Sequence, residues 1–183
     1  MALQFRKHIR LPDHDYTHGA YFVTLCTASR AHMFGKIAGT GPAARMELND
    51  AGNIVDECWR AIPDHFPHVH LGQMQVMPDH VHGILVLGTG HGNDNAIVEA
   101  TRWVAATNAA DNIGYPRNGP QRGSLGAVIG AFKSETTKRV NRMNSTIGER
   151  LWQPNYHERT IRVNGGEQER IAQYIAQNPM NWR

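Results

Sequence analysis

The chain has 183 residues, 40% of them apolar, with a net charge of +3 and a pI near 9.1, which suits one domain with a real core. No apolar run reaches the roughly 18 residues of a membrane span, and the first eight residues lack the apolar core of a signal peptide, so a cytoplasmic protein without a membrane partner is expected. Cys26 and Cys58 stand outside any Cys-x-x-Cys pair, so neither a zinc knuckle nor a redox motif is supported.

Ala20–Thr27 is rich in aromatic and β-branched residues and reads as a central strand, with Cys26 a buried thiol. Residues 28–46 form a polar, glycine-rich connection with a short strand near Phe34–Ile37. Asn49 and Asp50 can cap a helix running to about Ile62 and stopped by Pro63; Ile54, Val55, Cys58, Trp59 and Ile62 follow its 3.6-residue period. Val69–Met77 and His80–Leu87 are two strands about a tight Pro78-Asp79 turn, hence an antiparallel hairpin. The glycine-rich segment from about 88 to 123 reads as a long flexible insertion with a short helix around 97–106. Leu125–Met143 is a helix with a buried stripe of Leu125, Val128, Ile129 and Phe132. Leu151–Ile161 is extended, Asn164–Gly166 is a turn, and Glu167–Gln177 is a last helix ended by Asn178-Pro179. The order predicts an α+β fold over residues 1–183, an antiparallel sheet with helices packed on one face.

His80 and His82 lie two positions apart on a strand, so their side chains share a face, with about 7 Å between them along the strand. That is half of a divalent-metal site. Eleven histidines also make chance pairs, and His65, His68 and His70 read as a solvated cluster at the approach to a strand. Tyr174, Gln177 and Asn178 share one face of the last helix. Tyr174 also follows Ile171 by three residues, so the pattern alone favours a core tyrosine with a bonded hydroxyl.

Met77-Pro78-Asp79-His80-Val81-His82 resembles the MP(D/N)HxH signature of HUH single-strand nucleases. Leu151–Ile161 resembles a WQ..(Y/F).E..I segment, Tyr174–Pro179 a YI..NP helix, and Phe132-Lys133-Ser134 an FKS helix. The main blocks occur in order and resemble the one-tyrosine HUH transposases of bacterial insertion sequences, and within them the REP-associated tyrosine transposases (RAYTs). The resemblance implies a ferredoxin-like or RRM-like fold and a metal-dependent endonuclease and strand transferase acting on single-stranded, hairpin or palindromic DNA. It implies Tyr174 as nucleophile, and Mg²⁺ or Mn²⁺ on His80, His82 and the amide of Asn178, with Gln177 as fallback. Asp79 then either orients an imidazole or shapes the turn. Both monomers and homodimers occur among such proteins.

The charge is unevenly spread, which suits a polyanion partner such as nucleic acid and equally an ordinary solvated basic face. Residues 1–100 carry 7 Lys/Arg against 10 Asp/Glu, whereas residues 101–183 carry 12 against 6. Lys133, Lys138, Arg139 and Arg142 are candidates to track phosphates, and Trp152, Tyr156 and Trp103 to stack on unpaired bases; Trp152 could equally be core. Three other readings stand beside this one. A domesticated hairpin-processing protein would keep the fold. A non-catalytic nucleic-acid-binding module would need exposed aromatics such as Tyr21 and Phe22. A water-activating metallohydrolase would need more carboxylates near the histidines than the sequence offers.

Overall fold

The computed structural model describes residues 15–88, 120–162 and 166–182. The expected helix at 97–106, Trp103 and most of the glycine-rich insertion lie outside them.

Alternating apolar residues build a four-stranded antiparallel sheet in the order β4-β5-β1-β6. Its strands are β1 (Gly19–Cys26), β4 (Val69–Met77), β5 (His80–Leu87) and β6 (His157–Ile161). As expected, β1 is central, between β5 and β6, and β4 and β5 meet at the Pro78-Asp79 turn with Met77 opposite His80. Between β1 and α1 runs a separate hairpin, β2 (Gly35–Ala38) with β3 (Arg45–Leu48). β2 falls where a short strand is expected; β3 occupies part of the presumed irregular connection.

Asn49 caps α1 (Asp50–Arg60) by accepting from the Gly52 amide at 2.9 Å. Pro63 does not simply stop this helix. It sits in the first turn of a short α2 (Ile62–His65), where a missing N–H costs nothing. α3 (Leu125–Asn144) is capped by Ser124 and buries Leu125, Val128, Ile129, Phe132 and Val140. The segment 151–156 is not a strand: it touches the sheet through a bridge from Trp152 to Thr27 before β6 begins. α4 (Glu167–Ala176) is followed by a 3₁₀ turn at Asn178–Asn181.

The helices lie on both faces of the sheet, not on one. α1 and α3 cover the face bearing Tyr21, Val23, Leu25, Val81 and Leu85. α4 covers the other, where Ile175 packs on Ala20, Ile84 and Ile161. β1 and β5 carry apolar side chains on both faces, and a strand buried on both sides gives no sign of which helix takes which side. Each fully buried aliphatic chain contributes roughly 1.5–3 kcal/mol, so Ile175 is the main apolar anchor of α4.

Gly83 fixes how β5 seats on α1. The Trp59 indole lies against its backbone, and a Cβ there would stand 2.2 Å from Cζ2. Gly83→Ala is therefore expected to cost about 1–3 kcal/mol by overpacking. In a chain of this size that is a fall in Tm of roughly 2–4 °C per kcal/mol. Calorimetry tests this, and an unchanged Tm would mean that Trp59 moves aside freely.

Candidate active site

The two-residue period of β5 puts His80, His82, Ile84 and Val86 on the α4 side of the sheet. The register sets Cys26 opposite His80 and Thr24 opposite His82 on β1. The imidazoles lean together, with ring centroids 4.4 Å apart, closer than the strand rise alone gives. Both are buried, at 6% and 8% exposure.

Each Nδ1 is engaged. His80 Nδ1 lies 2.6 Å from Asp79 Oδ1, and since a carboxylate only accepts, Nδ1 carries the proton and Nε2 the lone pair. His82 Nδ1 lies 2.9 Å from Thr24 Oγ1; with the hydroxyl accepting, His82 has the same tautomer. Burial pushes both imidazoles below their ordinary pKa, His82 to about 3 with help from neighbouring His80, so both are neutral at pH 7. Neutral imidazoles with Nδ1 fixed are the form that ligates a metal through Nε2.

Asp79 both closes the turn and orients the ring. Its buried carboxylate receives Arg30 Nε at 2.9 Å on the oxygen not used by His80. Arg30 also donates to Cys26 Sγ at 2.9 Å. Its backbone is left-handed at φ 57°, a conformation costing roughly 1–2 kcal/mol that persists only where the surroundings hold it.

α4 brings Tyr174 to this cluster. Its ring is half exposed, 5.9 Å from that of His82 and edge-on to Phe22 at 6.2 Å. One turn on, Asn178 is largely buried, whereas Gln177 is exposed at the helix end. The 3₁₀ turn packs against β3 and β4. It carries Trp182 onto His80, rings 5.9 Å apart and nearly parallel. Among the described residues no three His, Cys, Asp or Glu side chains form a metal-binding group, so a cation here would need the two imidazoles plus an amide.

The expected DNA contacts do not gather at this site. α3 packs on the opposite face of the sheet, where Lys138 and Arg142 are exposed. Arg139 is tied to Glu57 Oε2 at 2.5 Å. Lys133 serves the fold: its ammonium donates to the carbonyls of Gln153, Pro154 and Asn155 at 2.5, 3.1 and 3.5 Å. Burial pushes its pKa down to about 8, opposed by the neighbouring Cys26. Trp152 cannot stack on bases. It is 3% exposed, packed on Phe34 and Phe132, with its indole N–H donated to Thr136. His68 donates from Nε2 to the Gly123 carbonyl at 2.8 Å, and His70 is exposed. Thr24, Arg30 and Trp182 are site residues that the pattern did not reveal; only Thr24, polar within an apolar strand, left a signal.

No family model matches the chain. A Haemophilus influenzae protein described as uncharacterized is 33% identical over 183 residues, 99% of this chain and 92% of that one. The two proteins belong to one family. Among solved structures, a REP-associated tyrosine transposase bound to a REP hairpin superposes with a TM-score of 0.50 at 16% identity, over 94% of this chain and 74% of that one. The fold is that of a REP-associated tyrosine transposase. A chain described as a candidate transposase from Deinococcus radiodurans R1 gives a TM-score of 0.43 at 16% identity, over 92% of this chain and 95% of that one. No helix among the described residues of this transposase fold is long and apolar enough to cross a membrane.

Lys133→Ala should destabilise the protein by roughly 0.5–1.5 kcal/mol, the net worth of the part-buried hydrogen bond to the Gln153 carbonyl, the other two acceptors being exposed. Urea unfolding would measure it. Stability equal to the parent would return Lys133 to the solvated surface.

Proposed function

We propose that the protein is a transposase-type enzyme: a metal-dependent single-stranded DNA endonuclease and strand transferase working through a 5′-phosphotyrosine. The observation that carries this reading is Tyr174, half exposed, with its ring 5.9 Å from one of two neutral, oriented imidazoles. The hairpin bound to the structural relative supports hairpin or palindromic DNA as substrate.

Tyr174 Oη would attack a backbone phosphorus as its proton leaves. The new O–P bond replaces the bond to the 3′ oxygen, which takes up a proton. The products are a 5′-phosphotyrosine and a free 3′-OH, and attack by a 3′-OH on the tyrosyl ester rejoins strands. The ester conserves the bond energy, so no nucleotide cofactor is required. An ordinary phenol is ionised in about one molecule per thousand at pH 7, a cost near 4 kcal/mol.

The donors fit Mg²⁺ or Mn²⁺. His80 and His82 each have Nδ1 engaged, leaving Nε2, and the largely buried Asn178 would supply its amide oxygen; Gln177, being exposed, is the fallback. When bound, such a cation neutralises charge on a non-bridging phosphate oxygen. Asp79 and Arg30 orient His80, and Thr24 orients His82. Tyrosine and histidines meet within one chain, so this chemistry needs no second subunit and is compatible with a homodimer.

A non-catalytic module on the same fold is less well supported. Tyr21 is fully buried with its hydroxyl on the His18 carbonyl, and Phe22, on the other face, lies edge-on to Tyr174, so β1 presents no exposed pair of aromatics.

With 3′-labelled single-stranded hairpin DNA and Mn²⁺, label should migrate with the parent protein on a denaturing gel and not with Tyr174→Phe, which should still bind DNA. Absence of adduct across a panel of hairpins would overturn the catalytic reading. Mn²⁺ binding followed by calorimetry should be lost in His82→Ala and weakened about 10–100-fold in Asp79→Asn. Parent-like binding in His82→Ala would remove the histidines from the metal site.

A further inference from the structure

A cleft of about 570 Å³ opens beside Tyr174 over β1 and β6, whereas the histidines stand over β5. On one side it is walled by Arg170, Ile171 and Tyr174, which with Glu167 form a single stripe of α4 at offsets of three, four and seven. The other side is His157 and Arg159 of β6, with Phe22 and Thr24 of β1 as floor. Of its lining residues the chemistry above uses only Tyr174 and Thr24.

We propose that this cleft seats the nucleotide adjoining the scissile phosphate, as an unpaired base with its own phosphate on Arg170. The inference rests on single-stranded DNA being the substrate. The volume lies within the roughly 300–1,000 Å³ of small-ligand pockets, room for one nucleotide. A base held between protein walls must have left its partner. Phe22 and Ile171 supply apolar surface for the base, and Tyr174 closes one end, so its occupant is next to the attacked phosphorus.

The charges select Arg170 as the anion contact. Arg159 is held by Glu167, which also receives the Arg162 amide. Arg170 has no carboxylate partner among the described residues. Its Nε donates to the Gly166 carbonyl at 3.3 Å, which steadies the guanidinium and leaves its two terminal nitrogens for a phosphate. His157 lies exposed in the same wall.

The test measures anisotropy of a fluorescein-labelled, mixed-sequence single-stranded octamer and of the corresponding duplex. Arg170→Ala should lose about tenfold in single-strand affinity, the size expected for a charge-assisted hydrogen bond, with Arg170→Lys recovering part of it. Duplex binding should not change, and Lys138→Ala, on the opposite face, should not reproduce the selective loss. Arg170 is exposed, and matching melting curves would exclude unfolding. Parent-like binding by Arg170→Ala, an equal loss on duplex, or no single-strand binding by the parent would each overturn the assignment. The adduct assay reads catalysis separately. Adduct with an unaffected Arg170→Ala removes only the cleft's role. An Arg170-dependent single-strand preference without adduct removes only the chemistry.

Discussion

The two-residue alternation of β5 is the constraint on which everything else depends. All but one of its eight residues are buried, because α1 and α3 cover one side and α4 the other. A shift of one residue would exchange the faces, sending the imidazoles into the apolar core and Val81 and Leu85 toward the tyrosine helix. The two-residue turn at Pro78-Asp79 and the missing side chain at Gly83 hold that register.

Burial of two imidazoles has a cost that the site's other residues offset. Desolvation keeps both rings neutral, and a buried ring nitrogen without a partner would be expensive. Asp79 and Thr24 satisfy one nitrogen of each ring and leave the other for a ligand. Arg30 balances Asp79 in turn, which accounts for a left-handed arginine just beyond the end of β1.

Much of this was legible in the residues. The β4–β5 hairpin agrees with its expected bounds, and α3 and α4 agree to within a residue, because each has a strong period and definite end signals. The association of His80, His82 and Tyr174 followed from family likeness, not from spacing, since a tyrosine three residues after an isoleucine reads first as a core tyrosine. Side assignment was hidden because β1 and β5 are apolar on both faces. Lys133 was misread, and Trp152 took the core reading of the two left open for it, for a shared reason. Their partners are backbone carbonyls of a distant loop and a threonine hydroxyl on α3, and no local pattern encodes either. Thr24 and Arg30 become meaningful only once the pairing of β1 with β5 is known.

The 3₁₀ turn after α4 does more than end a helix. By packing on β3 and β4 and setting Trp182 against His80, it fastens the far end of the tyrosine helix beside β5, the strand that carries both histidines. Tyr174 and the two imidazoles are thereby held at an effective concentration fixed by the fold and independent of how much protein is present. A single molecule carries the whole constellation with it.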